Sequence, residues 1–423
     1  MKKNLFLLFI ITLTSFVSCD NDGPYEEYLV ARPVVVDAIA FKTEAIDIVD
    51  PVPIVSSGKI YAYQDYIFVN DVDRGFHVVD NRNPASPKSI AFIKLEGNND
   101  ISIKDDKLYA DSYGDLVIFD ISDIDDIKLT GRVVNAIYNN GGIWIANLES
   151  PRADIYDYGD YDSQRDVIVD WEIKTERRLV SDYEKQFSCN SCEFALNNSD
   201  SGSPQPTVGQ GGSLARFKIV GDYLYVVDYS NINIFDISNL EDPKVLDDVK
   251  VAWDIETIFN QGDILFIGGR QGMYIYDIKD PVKPEFISEF RHGTACDPVV
   301  VDGDYAYVTL KGGGFCGSVE SGLYVVDVSD LKNPELKVIY PMDGPSGLGI
   351  KGDQLFICDG SSGLKVFDKS DAPNVTQLNH FENIVAYDVI PLANSLLMIG
   401  DQTLYQYEYL DSDIQLISTF DLK

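Results

Sequence analysis

One stretch of this chain, residues 221–244, reads GDYLYVVDYSNINIFDISNLEDPK, and the rest is largely variations on it. Two alternating apolar runs, 223–227 and 232–237, are joined by a short polar turn. A Gly-Asp pair precedes them, and an Asp-Ile-Ser-Asn turn with a Pro follows, the punctuation of strands joined by tight hairpins. The second run closes on an acid at Asp80, Asp120, Asp170, Asp236, Asp277, Asp327, Asp368 and Glu408, spaced 40, 50, 66, 41, 50, 41 and 40 residues apart. The first run recurs from Gln64, Lys104, Asn139, Val220, Gln261, Asp302, Lys351 and Ala393. A short strand before each turn and an outer one after the Pro complete a four-stranded unit of about 40 residues.

A single four-stranded meander leaves both faces and both edges open. Stacking such units and closing the stack into a ring buries the faces and protects the edges. The expectation is therefore an all-β chain folded as a β-propeller of four-stranded blades. Eight blades are expected, or seven if the third unit is irregular, since its Asp170 is followed by Trp171 and Glu172 and no turn sequence. The segment 38–55, with alternating Ile46 and Ile48, is expected to pair with the last unit as the strand that closes the circle. The repeating Asp is expected to form a turn by accepting nearby backbone N–H groups.

The runs Asp327-Val328-Ser329-Asp330 and Asp236-Ile237-Ser238-Asn239, each behind a strand of the GDYAYV type, resemble the LVIVD repeat family. The resemblance extends over nearly all of the chain beyond residue 58 apart from insertions. It implies a propeller and names no reaction.

The first residues are of another kind. Lys2 and Lys3 precede an apolar run from Leu5 to Leu13 that is too short to span a bilayer, and Cys19 follows Ser18. This arrangement resembles the lipobox of bacterial lipoproteins, with 1–18 as signal peptide and Cys19 as the lipidated residue. Residues 19–37 are expected as a tether, because the tract behind Cys19 is acidic and contains Gly and Pro. That tract resembles the acidic export signal that carries lipoproteins to the cell surface in one phylum of Gram-negative anaerobes. The expected location is the outer membrane, lipid-anchored and facing outward. The formal net charge of −34 excludes nucleic acid as a natural partner.

Residues 38–423 are expected to form the single propeller, with insertions at 147–165, 182–213 and 311–322. In a meander, the connections into the inner strand and the loop between the second and third strands share one face, and all three insertions belong to that face. It is the expected binding surface. The starts of the inner strands should line the channel mouth with Asn99 or Asp100, Asn135, Arg216, Glu256, Asp297, Ser346 and Asp388, a mostly acidic set suited to a cation or a hydroxyl-rich ligand. Arg74, Tyr113, Tyr229, Arg270 and Lys311 should form its rim.

Cys296 and Cys316 fall on the same face and are candidates for a bridge, and Cys189 and Cys192 could pair with each other. Cys358 follows a strand and reads as a buried thiol. No cofactor is implied. A cation such as calcium could be drawn by Asp154, Asp157, Asp160, Asp162 and Asp166, although their spacing is not that of an EF-hand. These features point to a non-enzymatic surface lipoprotein that binds a glycan, peptide or protein partner through its loop-bearing face. Two alternatives remain: a secreted carbohydrate-active hydrolase or lyase using channel carboxylates such as Glu256 and Asp297, and a structural subunit of an envelope complex.

Overall fold

In the computed structural model of the protein, the residues described are 25–44, 46–137, 151–163, 165–179, 208–295, 298–313, 319–411 and 413–423. The Asp that closes each recurring strand behaves as a turn former. Asp80, Asp120, Asp236, Asp277, Asp327 and Asp368 each accept the backbone N–H two residues on, at 2.8–3.0 Å. The acid or amide three residues later often repeats the device, as Asp330 does for the N–H of Lys332 at 3.0 Å. Such side-chain turns reverse the chain without help from distant contacts, which is why they recur intact in divergent units.

The described residues form eight sheets, and seven of them contain four consecutive strands paired as antiparallel meanders. These seven blades cover residues 57–95, 101–133, 217–250, 255–291, 299–341, 348–381 and 388–421. Within six of them an extra residue bulges the outer strand at the corresponding place, as between Val325 and Val326 of the fifth blade. A bulge there bends the outer strand and adds to its twist. Gly322, which starts the third strand of that blade, shows why glycine stands at this point: an added Cβ would lie 2.6 Å from the carbonyl oxygen of Tyr340 on the outer strand.

The core is divided into seven clusters, one between each pair of neighbouring blades. The cluster of Ile60, Ile67, Val69, Ile390, Leu397 and Ile399 joins the seventh blade to the first and closes the ring. Hydrogen bonds reinforce these seams. The Tyr109 hydroxyl donates to the carbonyl of Leu240 at 2.9 Å, that of Tyr225 to Pro281 at 2.8 Å, and that of Ser418 to Pro84 at 2.6 Å. Tyr225→Phe is expected to cost about 1 kcal/mol, because it strands a buried carbonyl while keeping the ring. Chemical denaturation checks it, and an unchanged midpoint would show that the seam does not depend on this bond.

Ring closure differs from expectation. Ile46–Val49 pairs antiparallel with Lys88–Leu95, the outer strand of the first blade, and not with the last unit. The seventh blade is complete from residues 388–421 alone. The ends are tied by the Ile54 N–H, which donates to the carbonyl of Leu422 at 2.9 Å.

The third unit is not a blade. Among the described residues, 25–41 and 151–179 separate as one compact unit, and those from 42 to 137 with those from 208 to 423 as another. In the first, Asp166–Leu179 runs straight through Asp170, whose carboxylate takes the adjacent N–H of Trp171 at 2.7 Å in place of a turn. Its partner is Tyr25–Asp37, so the expected tether is a strand from Tyr25 onward, paired over thirteen residues. Ile155–Tyr156 adds to the other edge in parallel. The ring thus has seven blades, the alternative that the irregular third unit kept open.

The Asp-rich run lies in this smaller sheet and its acids are partnered. Asp157 pairs with Arg32 at 3.0 Å and Arg178 at 2.7 Å, Asp166 pairs with Arg165 at 2.7 Å, and Asp154 accepts the Leu29 N–H at 2.8 Å. Among the described residues no group of His, Cys, Asp and Glu is placed to hold a metal ion.

Candidate functional site

A propeller's inner strands surround a channel, and here residues 208–215 of the chain run through it, leaving a cavity of about 350 Å³ beside them. Val208 bridges to Lys104 at the far end of an inner strand, and the Gly209 N–H donates to Ile103 at 2.9 Å. Gln210–Gly211 then pairs with Tyr61 and Ala62 of the first blade. Nearer the mouth, the Leu348 N–H donates to the Ser213 hydroxyl at 2.8 Å, and the Ala215 carbonyl accepts from Ile258 at 2.9 Å. At Gly212 there is no room for a side chain: a Cβ there would lie 2.2 Å from the Asp388 carboxylate. The last part of the 182–213 insertion therefore does not enlarge the mouth face. It climbs the channel from the opposite end and emerges at Arg216.

Above this plug lies a blind cavity of about 630 Å³ to which all seven blades contribute. It receives Arg216, Glu256 and Ser346 from the expected mouth residues, and Tyr229, Arg270 and Lys311 from the expected rim. It also receives Lys59, Asn99, Asp254 and Tyr387. Bases on the wall are Lys59, Arg216, Arg270 and Lys311, against the acids Asp254 and Glu256. Among the described residues this balance differs from the mostly acidic mouth expected of a chain with 34 Lys and Arg to 68 Asp and Glu, and the expected Asp297 lies outside them.

The missing acids are beneath the surface. Asp100 is buried and accepts the N–H groups of Ile101 at 2.9 Å, Phe217 at 3.2 Å and Arg216, which ties the second blade to the third. Asp388 is fully buried between Gly212 and Gly347 and accepts the Val389 N–H at 2.9 Å. Burial pushes its carboxyl up to about 7, with the charge of Lys59 pulling the other way. The Lys59 amine is held below the usual lysine range by burial, against the attraction of Asp100 at 3.5 Å.

The register explains the difference. Neighbouring strand residues point to opposite sides, so one position decides between channel wall and solvent-filled mouth. Asn99 and Tyr387 line the cavity, while Asp100 and Asp388, one step on, turn inward.

Three other expected residues lie off the cavity. Asn135 follows the outer strand of the second blade, where its N–H donates to Asp115 at 2.8 Å. Arg74 pairs with the buried Asp71 at 2.5 Å. The Tyr113 hydroxyl donates to Glu96 at 3.2 Å. Asp297, Cys19, Cys189, Cys192, Cys296 and Cys316 lie outside the described residues. Cys358 is a buried free thiol, raised well above the usual range by burial.

At the rim, Asp254 beside the Tyr229 hydroxyl pushes that phenol upward and also faces Arg270 at 3.8 Å. The Tyr229 ring meets the edge of Trp253 at 5.7 Å, and both stay exposed, at 46% and 60%.

The family model described as the LVIVD repeat matches residues 56–91, 98–134, 211–249 and 292–341. No curated protein matches the chain. Among solved structures it is similar to the computationally designed Ika8 protein, at 11% identity over 88% of this chain and 89% of that one, TM-score 0.49. A protein from Lactobacillus plantarum is similar at 10% identity over 86% and 96%, TM-score 0.49. A functionally unknown protein from Desulfotomaculum acetoxidans is similar at 10% identity over 86% and 96%, TM-score 0.47. The four family matches fall on the first, second, third and fifth blades, so this propeller carries LVIVD repeats.

Proposed function

We propose that the chain is a non-enzymatic lipoprotein, exported by residues 1–18 and anchored through Cys19 to the outer membrane with the propeller outside the cell. The propeller binds a glycan, peptide or protein partner at the channel mouth. The observation that carries the reading is the blind cavity, of about 630 Å³, to which every blade contributes. Its volume and mixed polar lining are those of a ligand pocket. A rigid ring holds its side chains on strand ends, which favours binding without rearrangement. Of the channel carboxylates, Asp100 and Asp388 are buried against backbone N–H groups, which weighs against acid–base chemistry by these two, while Glu256 lines the cavity.

Cys19→Ser is expected to move the protein from the membrane fraction to the soluble fraction. Equal membrane retention would overturn the lipid anchor. Cleavage of an extracellular polysaccharide by the purified protein, abolished by Glu256→Gln with the fold intact, would overturn the non-enzymatic reading.

A further inference from the structure

We propose that the mouth cavity takes an acidic saccharide, its carboxylate held among Arg216, Arg270 and Lys311 and its ring face packed on Tyr229 and Trp253. This rests on the reading of the mouth as a binding site and names the class of ligand. Among the described residues of the wall, Arg216, Arg270 and Lys311 stand against Asp254 and Glu256, with Lys59 facing the buried Asp100, an excess of base that favours an anion in a protein whose net charge is −34. Two of those bases are arginines, whose planar fork matches a carboxylate in two parallel bonds. Lys311 is exposed at the edge of the cavity. The Lys59 amine lies on the same wall, buried and 3.5 Å from the Asp100 carboxylate.

The aromatic residues decide between sugar and peptide. Tyr229, on the cavity wall, forms an edge-to-face pair with the exposed Trp253, whose ring also carries the Lys250 amine at 5.1 Å, and Tyr387, 38% exposed, stands on the same wall. An open aromatic surface receives the apolar face of a sugar ring, and the flanking Asp254, Glu256 and Asn99 can accept or donate to its hydroxyls. A peptide would anchor by inserting apolar side chains into a dry socket or by adding to a strand edge. Most of the residues on this wall carry polar or charged side chains, and its buried Ile255, at 2% exposure, belongs to the core between the third and fourth blades.

Calorimetric titration of the purified full chain tests this with three probes: an oligogalacturonate, a neutral maltooligosaccharide of equal length, and poly-glutamate. The oligogalacturonate is expected to bind at least ~10-fold tighter than either of the others, and to weaken as salt is raised. Arg270→Ala and Lys311→Ala should each lower its affinity ~10-fold or more, as for lost hydrogen bonds to a charged group. Trp253→Ala should lower it ~5-fold through lost stacking. Lys279→Ala, on an exposed turn beside Asp277, serves as the control and should change nothing.

Equal binding of the neutral sugar overturns the acidic class while leaving the mouth as the site, provided Trp253→Ala still weakens it. Equal binding of poly-glutamate overturns the saccharide class in favour of a peptide. Absence of oligogalacturonate binding overturns the proposal. Binding that ignores all three mouth substitutions, with far-ultraviolet circular dichroism unchanged, overturns both the proposal and the reading of the mouth beneath it.

Discussion

Asp115→Ala is expected to destabilise the propeller by about 3–5 kcal/mol, the cost of breaking a buried ion pair from one side. Asp115 is fully buried at the start of a strand in the second blade. It accepts from Lys42 at 2.8 Å, from Arg132 at 2.7 Å and from the Asn135 N–H at 2.8 Å. Lys42, in the short helix Ala38–Glu44, is itself only 4% exposed, so removing the carboxylate leaves a cation with little water to replace it. The double change Asp115→Ala with Lys42→Met should recover part of the loss, since the buried lysine is then not left unpaired, while Arg132 still lacks the carboxylate. Chemical denaturation of the single and double variants measures both effects. A loss under about 1 kcal/mol for the single change would place the pair in the class of exposed surface bridges.

Asp388→Asn should make the protein more stable at pH 8 and remove a slope in its stability between about pH 4 and pH 7. The folded carboxyl is pushed up to about 7 by burial, against about 3.9 in an unfolded chain. Between those values the folded state keeps a proton that the unfolded state has released, so stability falls as pH rises and levels off above about 7. At about 1.4 kcal/mol per pKa unit, the whole difference is on the order of 4 kcal/mol. The asparagine variant does not ionise and should lose this dependence. Denaturation of both proteins at pH 5 and pH 8 measures it, and parallel pH profiles would show that Asp388 ionises in the fold as it does in water.

The propeller was legible because its signals are local. A strand alternates with period two, and the Asp that follows turns the chain through its own neighbours, as Asp327 does with Ser329. Where pairing joins distant segments, the reading failed. Tyr25–Asp37 reads as a tether because nothing near it pairs with it, and its partner Asp166–Leu179 is more than a hundred residues away. Ile46–Val49 has the right alternation for a strand, but alternation does not say which sheet edge it joins. The mouth was half legible for a related reason: aligning strand starts finds the layer, and a slip of one residue exchanges Tyr387 for Asp388.

By itself the sequence determined the all-β class, the four-stranded unit, the turns that end its third strands and the odd character of the third unit. Each follows from contacts within a few residues. Only the tertiary structure decided the seven-bladed ring, the plug of residues 208–215 and the basic lining of the mouth. The glycines of the plug look like loop residues until Asp388 is seen 2.2 Å from where a Cβ would stand. Burial then shapes the charge of the mouth, because Asp100 and Asp388 are held by backbone N–H groups beneath the surface while Arg216, Arg270 and Lys311 line the cavity.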